Sequence, residues 1–490
     1  MSRNINWKLI IKSSIAVIAF LVVWNLPSYI FCIQDLTCVE QRVIAIFVFA
    51  ALMWLMETIT PWATSILIAV LLLFTCSGSC MKFFAVSHVK GMDLGHLLSY
   101  KGIMASFADP VIMLFLGGFT IAVIAAKIGL DMKLAKVILK PFGDKPKNVM
   151  LGFILGTGII SMFVSDSATA ALMLGFLLPI LKSIKGDEIG KKGLILAIPI
   201  GANIGGMATP IGTPPNAIVV RYLNDPEVLG MNVSFGDWTV CMLPLSLAML
   251  FFGWFLLKKL FPFQQGHVPL DLEKNMALKK SEPMSKWKII LIYITVGMTI
   301  LLWLTDRLTG MNANVVAMLP IAVFCVTGIL TSDDLAQYNW SVLWMVAGGI
   351  ALGHALDESG LAKHIISNIP FSHWHPALLL FIPGLICFGL STFISNTASA
   401  ALLVPVLSVV AASSGETLMP LGGAAVLLFG LAMSASLPMI LPVSTPSNAL
   451  AYSTNMLEHK DIVRVGCIIG SVGMIVGYGV LITLGKFNLL

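Results

Sequence analysis

The stretch FVSDSATAAL, Phe163 to Leu172, sets an aspartate among small and apolar residues, and FISNTASAAL, Phe393 to Leu402, repeats it in the second half of the chain with asparagine in its place. Both phrases sit at the centre of otherwise apolar segments, about 149–181 and 375–410. Polar interruptions at membrane depth are tolerated only where protein or a cavity covers them. Each segment is therefore predicted to be a re-entrant helical hairpin with the phrase at its tip, and not a plain span.

The solvent follows from composition. With 58% hydrophobic and 11% charged residues and a mean hydropathy of +0.93, the chain has more apolar surface than a water-soluble globule can hide. It reads as an all-α polytopic membrane protein. The run from about 9 to 30 is too long for the core of a secretory signal and is expected to remain as the first span. Stretches long enough to cross about 30 Å of hydrocarbon also fall near 41–57, 60–80, 110–126, 193–220, 238–257, 287–305, 312–330, 340–356, 420–452 and 463–485, which makes about eleven spans. The expected organisation is an N-terminal segment with the first span (1–40), a first repeat (41–260), a cytoplasmic linker (261–286) and a second repeat (287–490).

Charge placement supports that layout. With a cytoplasmic N-terminus and alternating spans, 22 of the 30 Lys and Arg residues fall on cytoplasmic segments, among them Arg3, Lys8, Lys127, Lys133, Lys185, Lys192, Lys274, Lys279 and Lys280. The net charge of +6 records this orientation and contact with anionic lipid head groups; no aromatic-interleaved basic patch points to nucleic acid. Cys32, Cys38, Cys76 and Cys80 fall at the expected outer ends of the first three spans. Two readings stand for them: a disulfide or metal site, or small residues packing near the interface. Lys127, Lys133, His354, Asp357 and Glu358 are expected in interfacial amphipathic segments, solvated.

Three blocks recur in one order at nearly one spacing. LFLGGFTIAVIAAKIGL from Leu114 echoes WMVAGGIALGHALDESGL from Trp344, with Gly117 and Gly118 answered by Gly348 and Gly349. The hairpin phrases pair Phe163 with Phe393, and PIGTPPNAI from Pro210 pairs with PVSTPSNAL from Pro442, so the offset is almost constant. Five spans separate the two hairpins, and an odd number turns the second copy over. The pattern is an inverted repeat, an architecture of secondary transporters.

The chemistry concentrates in the last two blocks. The prolines of Gly212-Thr213-Pro214-Pro215-Asn216 and of Ser444-Thr445-Pro446-Ser447-Asn448 remove amide donors, so the fifth and tenth spans are expected to break at mid-membrane. Ser161 and Ser391 each precede a tip serine, Ser165 and Ser395, by one helical turn, which places the hydroxyls of each pair on one helix face. Hydroxyls, amide oxygens and freed carbonyls are the hard ligands an alkali cation prefers, and one such cage is available per repeat. Between them lie Ser165, Ser167, Thr213, Ser395, Asn396, Thr397 and Thr445, with no lysine or arginine in any of these blocks. Hairpin and half-helix N-termini can hold an anion without a cationic side chain. A dianion in hydrocarbon still needs counter-charge, which points to cation-coupled anion transport.

At these residues the sequence resembles the divalent anion/sodium symporter family of di- and tricarboxylate and sulfate carriers. The resemblance runs from about Met53 to Gly466. It implies a homodimer in which the hairpins and broken spans move as an elevator against a scaffold. It also implies two sodium sites, the first at positions matching Ser161, Ser165, Asp166 and Gly212, the second at those matching Ser391, Ile394, Asn396 and Ser444. Substrate carboxylates would meet Ser165, Asp166, Ser167, Thr213, Ser395, Asn396, Thr397, Thr445 and Pro446.

The chain departs from that pattern at Asp166 and Ser167, where the family has Asn-Thr, and at Ser447, where a second proline usually stands. An ionised carboxylate about 5 Å from a substrate carboxylate costs roughly 3 kcal/mol at an effective dielectric of 20. A bound sodium would neutralise Asp166, and so would a proton. No phosphate-binding loop, H-E-x-x-H, G-x-S-x-G or paired catalytic carboxylates occur, so an enzyme or a primary pump has no visible machinery. Three readings stand: a sodium-coupled symporter of C4-dicarboxylates in the cell membrane, a sodium-independent or proton-coupled exchanger of the same fold, and a membrane receptor without transport activity.

Overall fold

A computed structural model describes residues 7–31, 33, 35–87, 92–184, 186–264, 266–268, 284–368, 374–487 and 489–490. Most of the expected linker (269–283) lies outside these residues, as do Arg3, Cys32, Lys185, Lys274, Lys279 and Lys280. The described residues form helices and no strand, with one isolated bridge between Ser77 and Leu98.

Eight helices among the described residues are long and apolar enough to cross a membrane. Three of them, Asp166–Ser183, Pro376–Phe393 and Asn396–Ser413, are arms of the two expected hairpins, which turn at 162–165 and 394–395. The remaining five match the expected second, fourth, sixth, seventh and eleventh spans. The other expected spans are helical but short, broken or polar at one end. Pro61–Thr75 has 15 residues, which at 1.5 Å each covers about 22 Å. The fifth is split into Glu188–Gly206 and Pro214–Asn224 because Pro214 and Pro215 cannot donate to the preceding turn. The tenth comprises a pair of helices bent by 71°, Gly415–Leu421 and Ala424–Ser436, then an irregular stretch and Pro446–Tyr452.

The repeat in the text is a repeat of element boundaries. Pro110–Lys127 and Trp340–Glu358 hold equivalent places in the two halves, and each is followed by a short amphipathic helix, Leu130–Leu139 or Leu361–Asn368. Both first arms open on a proline, Pro146 and Pro376, where the missing amide costs nothing. Both second arms have 18 residues, and both breaks resume on a proline, Pro214 and Pro446.

Packing then crosses the halves. Within each half the first hairpin arm lies along the long part of the broken span, Pro146–Ser161 on Glu188–Gly206 and Pro376–Phe393 on Ala424–Ser436. Gly158 and Gly205 let the first pair approach so closely that a Cβ on Gly205 would be driven into the Gly158 backbone. The short parts leave their own half: Pro214–Asn224 packs on Asn396–Ser413, and Pro446–Tyr452 packs on Asp166–Ser183. That exchange brings both hairpin tips and both breaks to one place.

Several polar residues expected to be solvated are engaged instead. Lys127 Nζ donates to Asp334 Oδ2 at 2.7 Å, and both side chains are largely buried. Its helix is thereby tied to the short helix Ser332–Ala336, ahead of Trp340–Glu358. His354, Asp357 and Glu358 lie within that helix and not beyond it; His354 Nε2 is 3.1 Å from Glu358 Oε2, which also accepts from Ser99 N at 2.9 Å. Among the described cysteines Cys38, Cys76 and Cys80 are free thiols, the first two buried.

Candidate functional site

The nine residues expected to meet a substrate all line one cavity of about 160 Å³. Ser165, Asp166 and Ser167 come from the first tip, Ser395, Asn396 and Thr397 from the second, and Thr213, Thr445 and Pro446 from the breaks. Four helix N-termini therefore border it, although that of Pro446–Tyr452 belongs to a helix of only seven residues. No lysine or arginine lines it, so donors for an anion can come only from helix N-termini and from hydroxyl and amide side chains. The facing wall is Phe115, Phe119, Asn339, Val342 and Met345, from Pro110–Lys127 and the start of Trp340–Glu358.

Of the residues expected to hold cations, Ser165, Asp166, Gly212 and Asn396 belong to this lining, and Ser161, Ser391, Ile394 and Ser444 stand outside it. Ser161 Oγ donates to Asp166 Oδ1 at 2.8 Å; the Ser391 hydroxyl reaches Asn396 Oδ1 at 2.9 Å and the Ala435 carbonyl at 2.6 Å. One serine-to-tip contact thus occurs twice. The expected arrangement of Ser161 with Ser165, and Ser391 with Ser395, on one helix face does not hold. The arms end at Ser161 and Phe393, and Ser165 and Ser395 are N-caps of the next helices, so each serine meets the residue just past the tip serine. Ser444 Oγ donates to the Thr392 carbonyl at 2.7 Å and accepts from Leu441 N at 3.1 Å, and Ile394 is the C-cap that follows the first arm of its hairpin.

Gly206 belongs to the first cage although no sequence signal marks it. A Cβ there would be driven into Asp166 Oδ1 and would sit 3.3 Å from the Gly212 carbonyl oxygen, so these groups surround one small space. The asparagines that close each break motif hold it open. Asn216 Nδ2 donates to Gly206 O at 3.0 Å and Thr209 O at 2.8 Å; Asn448 Nδ2 donates to Met439 O at 2.9 Å and Leu441 O at 3.1 Å. Each amide satisfies carbonyls that the missing turn leaves without partners.

A larger cavity of about 790 Å³ adjoins the small one and shares Phe119, Ser165, Ser167 and Asn339 with it. Its other walls are Ala122, Ala126, Met132, Val164, Gly175 and Gln337 to Tyr338. It forms a vestibule between the first hairpin and the helices that pair with it.

This fold and this site, two helix breaks and two hairpin tips around a small cavity lined by no lysine or arginine, define a membrane transporter and not an enzyme. The chain belongs to the citrate transporter family, whose pattern it matches over residues 51–422 and again over 300–489. It is 30% identical over 454 residues to an uncharacterized transporter of Haemophilus influenzae, covering 88% of this chain and 89% of that protein. It is 26% identical over 467 residues to the sodium-dependent dicarboxylate transporter SdcS of Staphylococcus saprophyticus, covering 89% and 84%. An uncharacterized transporter of Schizosaccharomyces pombe is 30% identical over 427 residues, 86% of this chain, which spans only 46% of that longer protein. Among solved structures the YdaH transporter of Alcanivorax borkumensis shares the fold at a TM-score of 0.55 and 12% identity, over 88% of this chain and 99% of that one.

Proposed function

We propose that the protein is a sodium-coupled symporter of small dicarboxylates such as succinate, malate and fumarate, working in the cell membrane. The observation that carries this reading is the convergence of helix N-termini and hydroxyls on a cavity of about 160 Å³ with oxygen-rich cages at its back. The N-termini supply donors for two carboxylates, and the cages supply cations that offset the dianion's charge. The cavity is below the usual range for drug-sized ligands, in keeping with a metabolite of a few carbons. The dicarboxylate transporters among its relatives support the same substrate class.

Site roles follow the same reading. Ser161, Ser165, Asp166 and Gly212 hold one sodium, and Ser391, Ile394, Asn396 and Ser444 the other. Ser165, Asp166, Ser167, Thr213, Ser395, Asn396, Thr397, Thr445 and Pro446 meet the substrate. The vestibule lies at the end of the first hairpin's partners that carries Lys127 and Lys133, so it opens to the cytoplasm with the N-terminus on the same side. The unit is a homodimer, and the hairpins with the broken spans move against the remaining helices.

Uptake of labelled succinate and citrate into proteoliposomes, with sodium, potassium or a proton gradient imposed separately, tests the coupling. Succinate uptake driven by sodium alone is expected. Uptake driven by protons without sodium would instead support the exchanger reading, with Asp166 as the protonated group. Asn396→Ala and Thr397→Ala are expected to cut uptake sharply in folded protein, and normal uptake by both would refute the site.

A further inference from the structure

Asn203 stands in an apolar stretch of Glu188–Gly206 that carries no motif, yet it is 1% exposed and borders the small cavity. Its side chain crosses from the first half of the chain to the second break. Asn203 Nδ2 donates to Thr445 Oγ1 at 3.2 Å, Ser447 Oγ donates to Asn203 Oδ1 at 3.0 Å, and the Thr445 and Ser447 hydroxyl oxygens lie 3.0 Å apart.

Proton counting fixes the last contact. Ser447 has one hydroxyl proton and gives it to Asn203, so Thr445 is the donor to Ser447. The three side chains close a ring in which each gives one proton and receives one. Thr445 Oγ1 also accepts from Asn448 N at 3.2 Å, which fills its second lone pair. Thr445 then has neither a proton nor a lone pair for a ligand. Asn203 retains one: its Nδ2 carries two protons, and the ring uses one.

Among the described residues the first half has no such ring. Pro215 takes the place in the first break that Ser447 takes in the second, and Thr213 begins Pro214–Asn224 without a side-chain cap bond. Its hydroxyl proton is available to the cavity.

We propose that Asn203 Nδ2 is the side-chain donor to a substrate carboxylate on the second-half side of the cavity, in place of the Thr445 hydroxyl. Ser447 is then a positioning residue that fixes the amide's orientation. The two carboxylates of one substrate meet unlike partners, a threonine hydroxyl from one half and an asparagine amide from the other. This assignment rests on the anion-carrier reading above.

The test compares Asn203→Ala with Thr445→Val in purified full-length protein. Binding of succinate and of citrate at saturating sodium is measured by calorimetry, and the melting temperature without anion is recorded in parallel. Asn203→Ala is expected to weaken anion binding at least ten-fold. Thr445→Val is expected to lower the melting temperature, through loss of a cap, and to weaken anion binding less than Asn203→Ala does, because it removes a partner of the amide and not the donor itself. The reverse order of binding losses overturns the assignment. Asn203→Asp keeps the acceptor for Ser447 and replaces the donor by an anion, so folded Asp variant is expected to bind no anion, and retained binding overturns the assignment even if Asn203→Ala fails to fold. Wild-type protein that binds neither anion overturns the carrier reading and this assignment together, whereas binding by wild type and Asn203→Ala within two-fold of each other overturns this assignment alone.

Discussion

In the second half, Ser395 and Thr445 turn their oxygens to their own helices: Ser395 Oγ accepts from Ala398 N at 3.2 Å, and Thr445 Oγ1 from Asn448 N at 3.2 Å. In the first half, Ser165 and Thr213 hold the equivalent N-cap positions, and neither makes a side-chain cap bond. At the start of Pro214–Asn224 the two prolines carry no amide and Asn216 N donates to Thr213 O at 3.2 Å, so it is the first amides of Asp166–Ser183 that are left for water or a ligand. Ser165 faces the vestibule as well as the small cavity, whereas Ser395 borders only the small one. The second tip is therefore finished by its own side chains and the first is left to be completed by what enters. The single charge follows the same division, since Asp166 sits in the open half and Asn396 in the closed one.

The strongest way to break this comparison is to fill the first cage. Gly206→Ala drives a methyl group into the Asp166 carboxylate. Overpacking of this kind costs about 1–3 kcal/mol before any loss of cation binding, and uptake is expected to fall on the order of a hundred-fold. Sodium-dependent uptake by a folded, monodisperse variant at the wild-type rate would show that no cation needs that space. The second half offers no counterpart, because Pro438 stands at the equivalent position ahead of its break.

Next in size is the charge itself. Asp166→Asn makes the two tips alike, and loss of a full negative charge should weaken cation binding by roughly 1–3 kcal/mol, or about ten- to a hundred-fold. The sodium concentration for half-maximal uptake should rise by that factor, while transport persists. An unchanged sodium dependence with a flattened pH profile would assign a proton to Asp166 instead.

The caps predict opposite effects of one substitution. Ser395→Ala removes a cap worth about 1 kcal/mol and should lower the melting temperature, whereas Ser165→Ala should leave it unchanged and weaken uptake. Equal melting temperatures for the two variants would erase the distinction between the halves.

The smallest effect is at the seam between them. Lys192 Nζ, at the start of Glu188–Gly206, lies 2.7 Å from Glu458 Oε1 and 2.8 Å from Asp461 Oδ2, at the start of His459–Lys486. Lys192 and Lys460 hold the Glu458 carboxyl down from its ordinary 4.5 to about 2. A carboxylate lowered in the folded state stabilises above its ordinary value and loses that contribution as pH falls through the lowered one. Wild type and Lys192→Met should differ slightly in melting temperature above pH 4.5 and converge towards pH 2. A difference that grows on acidification would refute the pairing.

Much of this is legible in the sequence, for particular physical reasons. The hairpin tips betray themselves because Asp166 and Asn396 are polar residues in hydrocarbon-length segments, and the breaks because Pro214 and Pro446 cannot continue a helix. Asn203 and Gly206 are not legible. A lone asparagine and one glycine among many carry no local signal, and their roles depend on Thr445 and Asp166, which lie in other segments of the chain. The engagement of Lys127 with Asp334 is hidden for the same reason.

The sequence by itself determined the solvent, the helical class, the duplicated plan and the residues that gather at the tips, because each rests on composition, on proline's missing amide or on the spacing of a motif along one chain. Only the tertiary structure decided how the halves differ. Ser161 reaches Asp166 and not Ser165 because the helix stops between them, and the short parts of the broken spans change partners so that each completes the other half's site. Which hydroxyl is spent and which is free depends on where protons go among groups brought together from distant segments, and a hydrogen bond exists only when its atoms are within about 3 Å.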